Sequence, residues 1–320
     1  MHRTTGCLPG TSGVLLAVAI ILPIPSPSLW AQNPPVTDIA FAPDGKSLVS
    51  CSQQGLQVFS WPGLKLQNTV EASSANLHCL GFSPDGTRLA VGGGDPSEEG
   101  LVEVFSWPDC QSRTKLSYHD DSVVSIVWRD NRDLVSAGLD RLLVEWNLQT
   151  NQPTRTLRGH SRGVSAVCLP GNGDVVSAGH DQSVRVWDGE SGELLRSLNQ
   201  HSRPVNSIAV CPAPSDNPLV ATAAGDRTIR FWQPAIGRMM RYIRLESEPL
   251  DIAWLNENRL VASCVDGKAR FVDVDNVKVR QTIPVIDGWA YAVASHPTDG
   301  SVAIAGSNGQ IRRVVPEPDP

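Results

Sequence analysis

One unit of about 41 residues returns seven times along this 320-residue chain. It is clearest from Arg158 to Asp188, RGHSRGVSAVCLPGNGDVVSAGHDQSVRVWD, which holds a Gly-His pair, three short apolar runs and an Asp six places before a Trp. Aligning the apolar residue in the first run of each unit gives Ile39, Leu80, Ile126, Val167, Ile208, Ile252 and Val293, with separations of 41, 46, 41, 41, 44 and 41. A period of this length marks a stack of supersecondary units that bury their apolar faces only against one another. Each unit carries three strand-like runs and the first six add a fourth, while the long apolar-periodic stretches of helices are missing. The turns recur as well. Ala42-Pro43-Asp44-Gly45 and Ser83-Pro84-Asp85-Gly86 join the first two runs of their units, where Pro presets φ and Gly accepts positive φ. The expected fold is all-β.

Three consecutive units add a polar constellation in fixed register: His119, Ser136, Asp140 and Trp146; His160, Ser177, Asp181 and Trp187; His201, Thr222, Asp226 and Trp232. A carboxylate under a loop needs partners, and an imidazole, a hydroxyl and an indole N–H supply them. With this quartet and the closing Trp-Asp, the chain resembles the WD-repeat β-propeller family over essentially its whole length after residue 31. The resemblance implies seven four-stranded blades around a central channel, with each quartet locking a loop to its blade. Because repeat-equivalent positions fall in different blades, the His/Asp pairs read as structural rather than catalytic. Other units depart from the motif. Phe59 and Phe105 stand at the Trp position, and units six and seven have Val272 and Val314 there. Those blades are expected to rely on packing alone. In the family the chain's N-terminus usually supplies the last blade's outer strand; here a run of prolines flanks the ring at each end, so a three-stranded seventh blade is expected.

The N-terminus reads separately. Arg3, the apolar run Val14–Leu22 and the Leu29-Trp30-Ala31 stretch have the three-part form of a secretory signal, with residues 1–31 removed. Residues 32–320 would then form the propeller, in a periplasmic or secreted setting. Six cysteines follow, most of them within or beside apolar runs, where free Cys behaves as a small hydrophobe. No CxxC pair suggests a redox or zinc site. With 27 basic residues against 33 acidic, net charge −6, the chain lacks the basic stripe that nucleic acid requires.

Such a chain is expected to work as a non-enzymatic interaction scaffold without a metal or cofactor. The loops after each quartet His carry Asp120, Asp121, Arg162 and Arg203, and they are expected to share a face with His180 and Trp289. Trp289 occupies a loop position that other units fill with small residues, which makes it a candidate contact anchor beside Arg162 and Arg203. The stretch Gly92–Gly100 reads as a flexible acidic loop on that face, and His180 as solvent-facing. A partner strand added to the seventh blade is a further route to binding. The rival functions are a propeller enzyme or a small-ligand sensor using the central channel, for which no convergent set of carboxylates or histidines is visible in the sequence.

Overall fold

The computed structural model describes Met1 and residues 33–317. The signal-like segment, Cys7 and the last three residues lie outside the described residues, Met1 excepted. From residue 38 the chain runs through seven antiparallel meanders. Six sheets have four strands each, and the seventh, Ala290–Ser295, Val302–Gly306 and Ile311–Val314, has three. Each blade's first strand lies beside the first strand of the next, and that of blade seven beside that of blade one, so the ring closes around an axis. The fold is a seven-bladed β-propeller.

Burial follows position within each blade. Second strands such as Asp133–Gly138 and Val175–Gly179 are buried almost throughout, because neighbouring blades cover both faces. Fourth strands such as Lys65–Val70 stand mostly in solvent. The apolar core is therefore a series of layers between adjacent blades. Phe231 of blade five packs with Trp254 and Leu260 of blade six, and Val102 of blade two with Trp128 and Val144 of blade three. Trp128 and Trp254 also tie blades together, donating their indole N–H to Gly81 O at 2.8 Å and Ala209 O at 3.1 Å in the preceding blade.

Gly92–Gly100 is not a flexible loop. Strands Arg88–Asp95 and Glu99–Ser106 extend blade two's hairpin to a tight turn. Asp121 accepts the Ser97 N–H at 3.1 Å, and the Ser122 hydroxyl donates to Gly94 O at 3.2 Å, which seats the hairpin on the loop into blade three. Its extra residues are used in pairing.

The join between blades seven and one has its own chemistry. Val36 N–H donates to Gly306 O at 3.1 Å. On the opposite side of the ring Trp61 stacks on His296, ring centroids 5.9 Å apart, meets Phe41 edge-on at 4.7 Å and donates its indole N–H to Asp299 Oδ2 at 3.2 Å. His296 Nε2 donates to Gly45 O at 2.9 Å. These contacts bind the first blade to the last without a shared strand.

Candidate functional site: loop face and central channel

The three quartets form continuous hydrogen-bond chains. In blade three, Trp146 Nε1–H donates to Ser136 Oγ, Ser136 Oγ–H to His119 Nε2, and His119 Nδ1–H to Asp140 Oδ2, each at 2.8 Å. Blade four repeats this with distances of 2.8, 2.8 and 3.0 Å through Trp187, Ser177, His160 and Asp181. Blade five runs through Trp232, Thr222, His201 and Asp226 at 2.8, 2.8 and 2.9 Å. With a neutral imidazole one arrangement of protons satisfies every link: each hydroxyl accepts from indole and donates to imidazole. The carboxylate also accepts the N–H of the residue after the His (Asp120, Ser161 or Ser202) and the N–H two residues beyond itself (Leu142, Ser183 or Thr228). Burial alone would raise the Asp181 carboxyl, but hydrogen bonds from His160, the Ser183 hydroxyl and Ser161 N–H overcome it and hold the group well below its usual range. Asp226 is lowered in the same way by Thr228 and His201 against the effect of burial. Burial lowers His201, keeping the ring neutral in the role of relay.

Blade six does not rely on packing alone. It lacks the quartet His and Trp, but Asp266 is held by both guanidinium nitrogens of the buried Arg270, at 2.9 and 2.7 Å. An Arg inside the blade thus replaces a His outside it.

The quartets fix the loops that carry the candidate contact residues. Asp120, Arg162 and Arg203 are exposed, and Trp289 is 51% exposed. Asp121 is committed to backbone donors of Ser97 and Ser122. His180 is partly buried rather than fully solvent-facing, and burial and the nearby Arg162 both lower its pKa. Trp289 finds its ring partner in Tyr291, centroids 5.8 Å apart, rather than in either arginine. The loop face therefore splits into an Arg162–His180 sector on blade four, Arg203 on blade five and an aromatic sector on blade seven.

The channel holds what sequence reasoning missed. A cavity of about 300 Å³ lies on the axis, walled by the first strands of all seven blades. Asp38 of blade one and Asp251 of blade six line it, with His78 and Tyr291. Both carboxylates are part-buried and line the cavity. Asp38 accepts Ile39 N–H and, from blade two, Leu80 N–H, each at 2.8 Å. Asp251 accepts Val293 N–H of blade seven at 2.9 Å and the Ser207 hydroxyl of blade five at 2.7 Å. Ser125 accepts Val167 N–H at 3.2 Å in the same manner. Leu80, Val167 and Val293 are aligned apolar positions of the repeat, so one side chain per link reaches across to the next blade. Burial, then the charge of Asp251, pushes the Asp38 carboxyl up to about 8. Burial raises Asp251 despite its three donors. The signal was present in the sequence: Asp38 and Asp251 both precede the aligned apolar residue, where other units have Cys79, Ser125, Ala166, Ser207 and Ala292.

The six described cysteines, Cys51, Cys79, Cys110, Cys168, Cys211 and Cys264, are free and buried. Among the described residues no group of three or more His, Cys, Asp or Glu is placed to hold a metal ion.

Comparison with known proteins agrees with the repeat. The family model described as "WD domain, G-beta repeat" matches residues 27–59, 64–97, 151–188 and 192–233. The chain is 30% identical over 124 residues to the UBP9-binding protein bun62 of Schizosaccharomyces pombe, covering 37% of this chain and 22% of that protein. It is 33% identical over 118 residues to WD repeat-containing protein 1 of Bos taurus, covering 36% and 19%. Protein HIR1 of Eremothecium gossypii matches at 30% over 125 residues, covering 33% and 15%. The matched span is about a fifth of the length of the first two relatives.

Proposed function

This chain belongs to the WD-repeat β-propeller family, and we propose that it is an exported, non-enzymatic scaffold that binds a protein or peptide on its loop face. The observation that carries the reading is the fixation of three successive loops. Each quartet carboxylate takes the backbone N–H just after its His, so Arg162 and Arg203 project from a backbone already immobilised. A preordered surface loses less entropy on binding than a mobile one. Trp289 adds a half-exposed aromatic anchor, the residue type that most often dominates interface energetics. Asp120 and His180 border the arginines, and Asp121 supports the surface from beneath. The bun62 relative is named for binding another protein, in keeping with this role.

The test is co-purification of the tagged chain from its native envelope fraction beside the Arg162→Glu/Trp289→Ala double variant. A partner captured by the parent chain and lost by the variant supports the loop face. A partner retained by both overturns it. Export rests on the signal-like pattern of residues 1–31. The mature mass decides it: loss of those residues supports export, and an intact N-terminus in the soluble cytoplasmic fraction refutes it.

Two observations favour further routes to binding. Strand Ile311–Val314 pairs only on its inner side among the described residues, which suits a strand donated by a partner. The polar axial cavity suits a small-ligand sensor.

A further inference from the structure

We propose that Arg141, Arg158, Arg162, Arg203, Arg227 and Arg244 form one anion-recognising arc over blades three to five, and that its partner is a carboxylate-rich peptide segment. The inference rests on the loop-face reading above and names the chemistry of the partner.

The repeat puts all six at one end of the ring. Arg141 and Arg227 follow Asp140 and Asp226 in the turns between second and third strands. Arg158 and Arg244 end the fourth strands, opposite Leu142 and Thr228 beside those turns. Arg162 and Arg203 follow the quartet histidines in the loops entering blades four and five. Loops and turns are in contact. His180 N–H donates to Gly163 O and Gly225 N–H to Pro204 O, each at 2.9 Å. A Cβ on Gly163 would lie 2.9 Å from the Leu139 side chain in the turn of blade three. Blades three, four and five adjoin in the ring, so the six arginines make one arc.

All six are exposed, and among the described residues none makes a side-chain hydrogen bond or ion pair. Away from this face the pattern differs: Arg129 and Arg155 share Glu145, and Arg241 and Arg313 reach Asp275 and Asp299. The acids nearest the arc are already engaged. Asp140, Asp181 and Asp226 belong to the quartets, Glu248 accepts from Asn206 at 3.0 Å, and Glu246 lies 3.8 Å from Arg270. A patch of positive potential therefore stands on a chain whose net charge is −6, and it favours encounter with an anion.

A second feature points the same way. The arc lies on the three blades whose loops the quartets immobilise, so its arginines need little ordering to bind. Two of them, Arg141 and Arg227, hold φ of 74° and 63° at the turn position where blade six has Gly267. Each guanidinium offers a planar fork that matches a carboxylate with two hydrogen bonds. A long polyanion such as nucleic acid fits less well. It would run onto the exposed acids of the same face, Asp95, Glu98, Glu99 and Asp120, on blade two's hairpin and the loop into blade three. A short acidic segment can stay within the arc.

Fluorescence anisotropy with a labelled octapeptide of alternating Asp and Glu tests the arc, at about 50 mM salt, where exposed charges are less screened than at physiological salt. The parent chain should bind it, and Arg158→Gln/Arg227→Gln and Arg162→Gln/Arg203→Gln should each weaken binding at least tenfold. Arg132→Gln/Arg238→Gln removes the same charge from exposed residues toward the opposite face and should leave affinity unaltered. No binding up to millimolar protein, equal loss in the opposite-face variant, or equally tight binding of a labelled thymidine octanucleotide overturns the proposal. The two readings fail separately. A native partner lost by Arg162→Glu/Trp289→Ala but held undiminished by Arg158→Gln/Arg227→Gln leaves the loop face standing and overturns the acidic partner. A partner untouched by Arg162→Glu/Trp289→Ala overturns the loop face, and this inference with it.

Discussion

Blades three to five and blade six fasten the same turn by different means. In the first group the carboxylate of Asp140, Asp181 or Asp226 faces outward to a His on the loop that enters the blade. In blade six Asp266 turns to Arg270 of its own third strand. The first arrangement ties a loop to a blade; the second ties a turn to the strand that follows it. Both satisfy a carboxylate near the protein surface, yet only the first immobilises the loop face. What these four blades share physically is a paired carboxylate at that turn. Whether the neighbouring loop is also fixed depends on which cation or donor the blade supplies.

The comparison breaks most sharply if the partners are removed. His160→Leu leaves Asp181, 5% exposed, without its main donor. Loss of one member of a buried pair costs about 3–5 kcal/mol, read as a lowered urea midpoint. Arg270→Leu should cost less, at the lower end of that range, because Asp266 is 31% exposed and water can take over part of the role. The loop-face amides after His160 should lose hydrogen-exchange protection in the first variant and keep it in the second. Equal loss in both would show that blade six is coupled to the loop after all.

A second contrast lies between the quartet carboxylates and those of the channel, and it is visible in pH. Asp38 is pushed up to about 8 in the folded state by burial and by Asp251, against about 3.9 in an unfolded chain. The folded state then binds more protons across that interval, so Asp38's contribution to stability declines as pH rises from about 4 to 8. Asp181 and Asp226 are lowered; their contribution is present above the unfolded value and is lost as pH falls through the folded one. The melting temperature should therefore drop by several degrees between pH 5 and 9, and Asp38→Asn should flatten that decline while leaving the acid limb unchanged. An unaltered slope in the variant would remove Asp38 as its source.

The quartets and the seven-fold period were legible in the sequence because each repeats at a fixed offset within one unit: Asp181 and Trp187 are always six apart, whatever the ring does. The channel was not legible for the opposite reason. Asp38 and Asp251 are more than two hundred residues apart, in blades separated by a third, and their shared place before the aligned apolar residue gains its meaning only once the ring is closed. Their convergence is a property of ring closure. The join between blades seven and one was hidden for the same reason: Trp61 reads as a turn residue until His296 and Asp299 arrive from the last blade. Arg270 was overlooked because an Arg in a third strand looks like ordinary outward alternation, as Arg185 and Arg230 do at the equivalent positions.

Exchanging the aromatic residue at the end of the third strand sharpens the same comparison with a smaller effect. Trp232→Phe leaves the Thr222 hydroxyl without its indole donor, at a cost of about 1–3 kcal/mol. The reverse exchange in blade two, Phe105→Trp, should destabilise too. Phe105 pairs with Leu89, and the residue at the hydroxyl position is Val91, so a new indole N–H would be buried without an acceptor. Thermal melts of both decide it. A stabilised Phe105→Trp chain would mean that the indole contributes by its size alone.

The smallest expected effect concerns the turn itself. The residue after the turn Asp has positive φ in every one of these blades: Arg141 at 74°, Gln182 at 71°, Arg227 at 63° and Gly267 at 70°. Only blade six uses Gly there, and it must, since a Cβ on Gly267 would lie 2.0 Å from Ile286 O. The other three accept the left-handed conformation with a side chain, which costs roughly 1–2 kcal/mol per residue. Gln182→Gly relieves that strain but also frees the unfolded chain. The net gain should be below about 1 kcal/mol, a rise of a degree or two in melting temperature. Because Asp181 already accepts the Ser183 N–H and hydroxyl across this turn, the gain should disappear in the His160→Leu background, where the turn is no longer held against its loop. A gain that persists there would place the strain in the turn alone, independent of the quartet.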